Sequence, residues 1–374
     1  MIVTVKEVTT KKELKAFVHF PNVLYKGNIY YVPQIESKDL DTLLPSKNHA
    51  FEVCESKYWL AYDEQGEIVG RVAGIVNRRH NEKTGEKTCR FGWIDFVDDK
   101  EVSKSLMDAV ERYAVEKGMD TMNGPMGFIT FDSAGVLVDG YDKLPTAYSK
   151  YNAPYYEQHL LDLGYIKDVD YVEYLIKVPE VIPERYARMA ELVSIKNSLH
   201  QAPFHNRAEV EPYLDDVFRC LNSAYSKLHG FTELSHEQCD DLKKQFLSNI
   251  DVDYVSIVLD ADDHVVGFGV ALPSLSKAMQ KAKGSLFPFG WMHMMKALRQ
   301  NDTIDLLLIA IEEKYQNKGI NAMIFDKFAQ GITKNGIKYI ESTRELEDNT
   351  SVQNLWRYLD HDLTKRARTY VKRV

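Results

Sequence analysis

The stretch TIDLLLIAIEEKYQNKGINAMIFDKF, residues 303–328, sets an apolar run, a polar turn and a helical pattern one after another. Thr303 to Ile311 reads as a buried strand, rich in leucine and isoleucine. The segment EKYQNKG then breaks the pattern with polar residues and a glycine, and INAMIFDKFAQGI resumes with helical spacing. A loop that opens into a helix leaves backbone N–H groups without partners, and the helix dipole adds partial positive charge at that end. Gly319 permits a left-handed backbone or the close approach of a ligand. Asn321 and Ala322 are small, and Lys318 adds a cation. Gln316, Asn317, Lys318, Gly319, Ile320, Asn321 and Ala322 therefore read as a cradle for a pyrophosphate.

The order Gln-x-x-Gly-x-x-Ala after an apolar strand resembles the coenzyme A loop of the GNAT superfamily of acyl-CoA N-acyltransferases. That loop is usually written Gln/Arg-x-x-Gly-x-Gly/Ala; here Asn321 stands at the second small position and Ala322 follows it. The resemblance implies acyl-CoA or acetyl-CoA as acyl donor. It implies that the backbone of Leu308, Ile309, Ala310 and Ile311 binds the pantetheine arm, and that Asn349 meets the cofactor. It also implies two central strands that part to admit a thioester, and a base that takes a proton from an attacking amine. The candidates for base are Glu341, Glu312 and His293, with Glu341 preferred because its strand borders the gap. The family places its acidic tyrosine seven residues after the asparagine, where this chain has Trp356. Tyr358 lies about 200° further round a helix, so it is a candidate acid that cannot simply replace the missing one.

Outward from this stretch, one plan occurs twice. YWLAYDEQGEIVGRVAGIV (58–76) and DYVSIVLDADDHVVGFGVAL (253–272) are both strand–turn–strand patterns, with Gly70 and Gly267 at matching places. Each half continues with an amphipathic helix closed by a glycine, Gly118 or Gly336, then a strand, then an Asn-led helix from Asn152 or Asn349. The expected fold class is α/β (α+β): two GNAT-like domains, 1–178 and 179–374, each a mixed, mostly antiparallel sheet flanked by helices. The first half lacks the glycine loop and carries Asp98 and Asp99 where a phosphate would sit, which would repel it. It is expected to be a degenerate copy without a coenzyme A site. Its long insert, 124–156, is rich in Gly, Pro and aromatics, and brings Tyr155 and Tyr156 forward as acceptor-binding candidates.

The second half has an insertion of its own, at about 273–302. Within it KGSLFPFGWMHMMKALRQ (283–300) sets Trp, Phe and Met beside Lys and Arg. As a helix it aligns His293 with Lys296, and Trp291 and Met295 fall among the apolar positions. The segment reads as core between the halves, as the lining of an acyl-chain pocket, or as a peripheral membrane contact. Its Phe-Pro-Phe-Gly-Trp run is similar to soluble bacterial long-chain N-acyltransferases of the ceramide-synthase type, which implies a lipid amine acceptor.

A formal charge of −8 argues against nucleic acid as partner. The basic tail KRARTYVKRV alternates and reads as an edge strand. The four cysteines have no metal-ligand or disulfide spacing, so no metal site is expected. The longest clean apolar run, LLLIAI, falls far short of the roughly 20 residues that span a bilayer, and a cytoplasmic protein is expected. Two other functions stay open: a non-catalytic acyl-CoA sensor or scaffold, and an aminoacyl-tRNA-dependent transferase.

Overall fold

The computed structural model describes residues 1–374 except Asn354 and Tyr358, and omits the side chains of Asn249 and Ser351. The first half runs β1 (Thr4–Glu7), α1 (Lys11–Leu24), α2 (Glu36–Thr42), β2 (Cys54–Tyr62), β3 (Ile68–Asn77), α3 (Arg78–Thr84), β4 (Thr88–Phe96), α4 (Lys100–Glu116), β5 (Thr121–Gly124), β6 (Val136–Asp139), α5 (Tyr155–Asp162) and β7 (Ile166–Lys177). The second continues with α6 (Arg185–Asn197), β8 (His200–Gln201), α7 (Arg207–Val210), α8 (Leu214–Tyr225), α9 (His236–Asn249), β9 (Val255–Leu259), β10 (Val265–Pro273), α10 (Ser276–Ala282) and α11 (Gly290–Arg299). It ends with β11 (Thr303–Ile311), α12 (Ile320–Asn335), β12 (Tyr339–Ser342), β13 (Glu345–Leu346), α13 (Thr350–Gln353) and β14 (His361–Arg373). Among the described residues no helix is long and apolar enough to cross a membrane, and all four cysteines are buried free thiols.

The strands form one mixed, mostly antiparallel sheet flanked by helices, in the order β1-β2-β3-β4-β5-β14-β7-β12-β11-β10-β9-β8. Each half contributes one parallel pair, β4 with β5 and β11 with β12. Between these pairs the halves exchange strands. β14, from the end of the second half, pairs with β5 of the first, and β7, from the first half, pairs with β12 of the second. The two exchanged strands then pair with each other from His361–Ile176 to Val371–Ile166.

The basic tail is therefore not an edge strand, as its alternation suggested, but a central one. Its inward charges survive there because Lys365, Arg366, Arg368 and Lys372 each meet an acid on a neighbouring strand or helix. Arg368 bonds Asp170 (2.6 Å) and Glu157 (2.8 Å), Arg366 bonds Asp170 (3.1 Å), and Lys365 lies between Glu173 (3.3 Å) and Glu341 (2.5 Å). A charged residue can be interior when it is paired.

The two hairpins form as their sequences require, β2–β3 and β9–β10. Their matched glycines mark where a helix crosses the sheet. A Cβ on Gly70 would lie 2.7 Å from Leu106 Cδ1 of α4, and one on Gly267 would lie 3.1 Å from Ile320 Cγ2 of α12. Val72, Val102, Leu106, Val110 and Phe91 form the first core under α4. Ile304, Leu306, Ile324, Phe328 and Val193 form the second, under α12 and α6. In the 273–302 insertion, α10 and α11 pack together; Met279, Ala282, Leu286 and Met294 bury an inner face against Val32, Ile35 and Ala147 of the first half.

Candidate functional site

β11 and β12 pair only from Thr303–Tyr339 to Leu306–Ser342. Beyond that point the two strands part. A bulge helps to turn β11: Val270 of β10 faces Leu308 and Ala271 faces Leu306, so Leu307 has no opposite number. Thr343 closes the apex, its N–H donating to the Leu306 carbonyl (3.2 Å) and its hydroxyl reaching the Leu306 (3.1 Å) and Leu307 (3.3 Å) carbonyls. Glu312 N–H donates to the Val266 carbonyl of β10, so the alternate residues Ile309 and Ile311 aim their backbone groups into the gap. Two side chains already touch that edge. The Tyr225 hydroxyl of α8 donates to the Ile309 carbonyl (3.1 Å), and Gln316 Nε2 donates to the Ile311 carbonyl (3.1 Å). A carbonyl oxygen has two lone pairs, so each keeps room for a second donor.

At the far end of β11 the chain enters the loop Gln316–Gly319. Asn317 takes φ +61° and Gly319 φ +85°. Gly319 is the N-cap of α12 and no side chain caps that terminus. Gln316, Asn317 and Lys318 are exposed. Lys318 and Lys314 lie over the Tyr315 ring, 4.9 and 4.8 Å from its centre. One wall is closed, because a Cβ on Gly319 would lie 2.8 Å from Val193 Cγ2 of α6. The result is an uncapped, cation-flanked, sixteen-residue helix N-terminus, a fit for a diphosphate. From this loop the gap leads back along β11 to Asp305, about 20 Å by strand rise.

Ionisable groups concentrate around the closed end of the gap. Asp305 and Glu341 are register partners on β11 and β12. Asp305 is 0% exposed, and among the described residues neither carboxylate oxygen has a partner within hydrogen-bond geometry, Ser274 being near without meeting it. Burial, and then the charge of Glu341, drive its pKa well above the usual carboxylate range, against the opposing pull of Ser274 and Lys365. Glu341 is raised by burial and steadied by Lys365. Burial opposes the Lys365 charge, but Glu173 and Glu341 together hold its pKa above the ordinary lysine value. Arg344 completes the network. It bonds Glu173 (3.2 Å) and the carbonyls of Ala134, Gly135 (3.0 Å) and Lys150 (2.9 Å), pinning the first half's insert to the end of β12.

Glu345, one residue on, differs from these. It lies on β13, opposite Val172 of β7, and Tyr225 feels its charge from the β11 side of the gap. Its Oε1 is buried without a partner, and burial alone raises its pKa to about 8. It is half-buried rather than sealed.

No family model matches the sequence. The chain is 26% identical over 377 residues to Protein YghO of Escherichia coli (strain K12), covering 99% of this chain and 95% of that one. It is also 26% identical over 323 residues to a bacterial ceramide synthase of Caulobacter vibrioides (strain NA1000 / CB15N), covering 85% and 82%. Among solved structures, a tandem GNAT protein from the clavulanic acid biosynthesis pathway matches 100% of this chain and 98% of its own, with a TM-score of 0.55 at 10% identity. This is a tandem GNAT fold.

Within the tandem GNAT fold the two gaps are unlike. In the first half β4 and β5 also part, after Arg90 and Asn123, but the chain fills the space. Met126 N–H donates to the Phe91 carbonyl (2.8 Å), and Cβ atoms on Gly92 and Gly124 would lie 2.3 and 2.2 Å from the Met126 and Phe91 carbonyl oxygens. Tyr156, fully buried, accepts from Phe96 N–H (2.9 Å) and meets the Tyr25 hydroxyl (2.8 Å), while Tyr155 donates to the Phe96 carbonyl (2.5 Å). At the neighbouring terminus Asp99 caps α4 through Glu101 N–H (2.8 Å). Backbone and aromatic rings occupy the place that stays open in the second half. Tyr155 and Tyr156 thus serve the first half's interior, away from the loop at Gly319.

The other sequence candidates divide as follows. Ile309, Ile311 and the loop from Gln316 to Ala322 are brought together along one edge. Leu308 and Ala310 turn their backbone to β10 and their side chains into the core beneath α8. Glu341 is near the gap but engaged with Lys365, and Glu312 is engaged with Arg219 and Lys314. Asn349 is half-buried just before α13. His293, Trp291 and Met295 belong to α11, which packs on α10 and β10; Trp291 and Met295 face outward rather than into a pocket. Tyr358 lies outside the described residues. Trp356 is 1% exposed, and its indole N–H has no partner among the described residues. The sequence reading missed Asp305, Tyr225 and Glu345. Asp305 carried a visible signal, an acid inside an otherwise apolar strand; the other two had none, since nothing in the sequence places α8 against β13.

Proposed function

We propose that this chain is an acyl-CoA-dependent N-acyltransferase whose acceptor is an amphiphilic, long-chain amine. The carrying observation is the open edge of β11, with an uncapped helix terminus at one end and unpaired carboxyls at the other. Gln316 to Ala322 would hold the diphosphate through backbone N–H groups, with Lys318 and Lys314 adding charge, and Ile309 and Ile311 would hold the arm. The bound donor supplies a thioester, an activated acyl group. Glu345 takes the proton from the acceptor ammonium on its half-buried carboxyl; a pKa near 8 suits a base for that task. As the nitrogen bonds the acyl carbon and the carbon–sulfur bond breaks, Tyr225, which burial keeps protonated, gives its hydroxyl proton beside Ile309 to the departing sulfur and regains one from the nitrogen that becomes the amide. Asp305 is sealed from any acceptor and Glu341 is paired, so both act with Lys365 as positioning residues for the strands that flank the gap. The kinship to a ceramide synthase at 26% identity supports the lipid character of the acceptor.

A non-catalytic acyl-CoA sensor is the second reading, favoured by the buried Trp356 where the family has a hydroxyl donor. One assay separates the two. Thermal stabilisation by coenzyme A reports binding, with about 2.7 kcal/mol expected at 100 times Kd; free thiol release dependent on a long-chain amine reports transfer. Stabilisation without amine-dependent thiol would leave only the sensor, and no stabilisation would remove both.

A further inference from the structure

The outer face of the 273–302 insertion is not used by the site. Phe287 (78% exposed), Phe289 (67%), Met292 (51%), Trp291 (48%) and Met295 (42%) stand on it together, between the end of α10 and the body of α11. The same segment buries Leu286 and Met294 against the first half, so its fold is fixed from within and the exposed aromatics are not a loose end. Ile29, also exposed, adjoins through the Gln280 bond to its carbonyl (2.8 Å). An apolar patch of this kind on a folded surface marks an interaction site.

The charge around the patch says what covers it. No acidic residue occurs between Asp263 and Asp302, whereas Lys277, Lys281, Lys283, Lys296 and Arg299 all do, in a chain whose formal charge is −8. All five are exposed, and none has a side-chain partner among the described residues. Glu36, the acid that reaches the Gly284 turn, is already held by His19 (2.7 Å) and Asn22 (2.6 Å). Trp and Phe seated among unpaired Lys and Arg suit the headgroup level of an anionic bilayer, where rings enter the interface and ammonium groups meet lipid phosphates.

We infer that the face formed by residues 286–299 docks this protein on the surface of an anionic lipid bilayer. The inference is independent of the acyl-transfer reading, since it needs neither coenzyme A nor turnover. The test is co-sedimentation of the full chain with vesicles of phosphatidylcholine alone or mixed with phosphatidylglycerol. Wild type is expected to bind only the mixed vesicles, and to lose binding as salt rises. A Phe287→Ser/Phe289→Ser/Trp291→Ser variant should lose binding. A Lys281→Glu/Lys296→Glu/Arg299→Glu variant should weaken it by at least about fivefold per charge. Unchanged melting temperatures are expected in both, because every altered side chain is exposed. Equal binding to neutral vesicles, or a variant that sediments like wild type, overturns the inference. So does a wild-type dimer that the aromatic variant dissolves while vesicles go unbound, which would make the face a contact between copies. Should either variant melt early, single substitutions Phe289→Ser and Lys296→Glu decide by the same criteria.

Discussion

Glu345→Gln should make the protein more stable and less active at once. Burial raises the carboxyl from 4.5 to about 8 in the folded chain. Between those values the folded state holds a proton that the unfolded state has lost, so stability falls as pH rises through the window and is fully recovered below 4.5. The full shift is worth about 5 kcal/mol at 1.36 kcal/mol per unit; residual solvent screening brings the expectation to about 2–3 kcal/mol. Gln has the same shape and no charge to bury, so it escapes this penalty. At about 2.1 cal/mol/K of unfolding entropy per residue, a chain of this length should gain about 3–4 °C in Tm above pH 8 and nothing near pH 5. The assay is calorimetry of both proteins across that range. In the transfer assay, wild-type kcat should climb with pH up to about 8, and the variant should lose about a hundredfold. A pH-independent difference in Tm would refute the burial argument. Retained activity would refute the assignment of the base.

Three other outcomes are expected. Asn321→Glu places a carboxylate in the first turn of α12, where it should raise apo stability by a few tenths of a kcal/mol through the helix dipole yet abolish the thermal shift given by coenzyme A. Lys365→Met should cost about 3–5 kcal/mol in urea denaturation by leaving Glu173 and Glu341 under-compensated, and adding Glu341→Gln should restore part of the loss. Gly92→Ala should destabilise by about 1–3 kcal/mol because its Cβ meets the Met126 carbonyl at 2.3 Å, while leaving coenzyme A binding intact; lost binding would show that the first-half gap matters to the cofactor.

What could be read in the sequence was local. The hairpins, the glycine pair Gly70 and Gly267, and the loop ending at Gly319 announce themselves by alternation, acidic turns and an apolar run meeting a helix. The exchange of β7 and β14 does not, since strand pairing across nearly 200 residues leaves no mark on periodicity. That is why Arg366 and Arg368 read as solvated residues of an edge, when their partners Asp170 and Glu157 come from the other half. Glu341 stands on a strand beside the gap, but Lys365, its partner at 2.5 Å, arrives on the exchanged strand, which the sequence does not announce. The insertion was legible as an amphipathic helix, although only the packing of Leu286 and Met294 shows which side is free.

The exchange has a consequence for biosynthesis. β5 is made early, at residues 121–124, yet its neighbour on the open side is residues 361–373. As the ribosome proceeds, the amino-terminal half must wait with an unpaired sheet margin, a template for misassociation with other nascent chains. Productive maturation is then a late event that welds both halves together, and neither half can be removed without opening the sheet of the other.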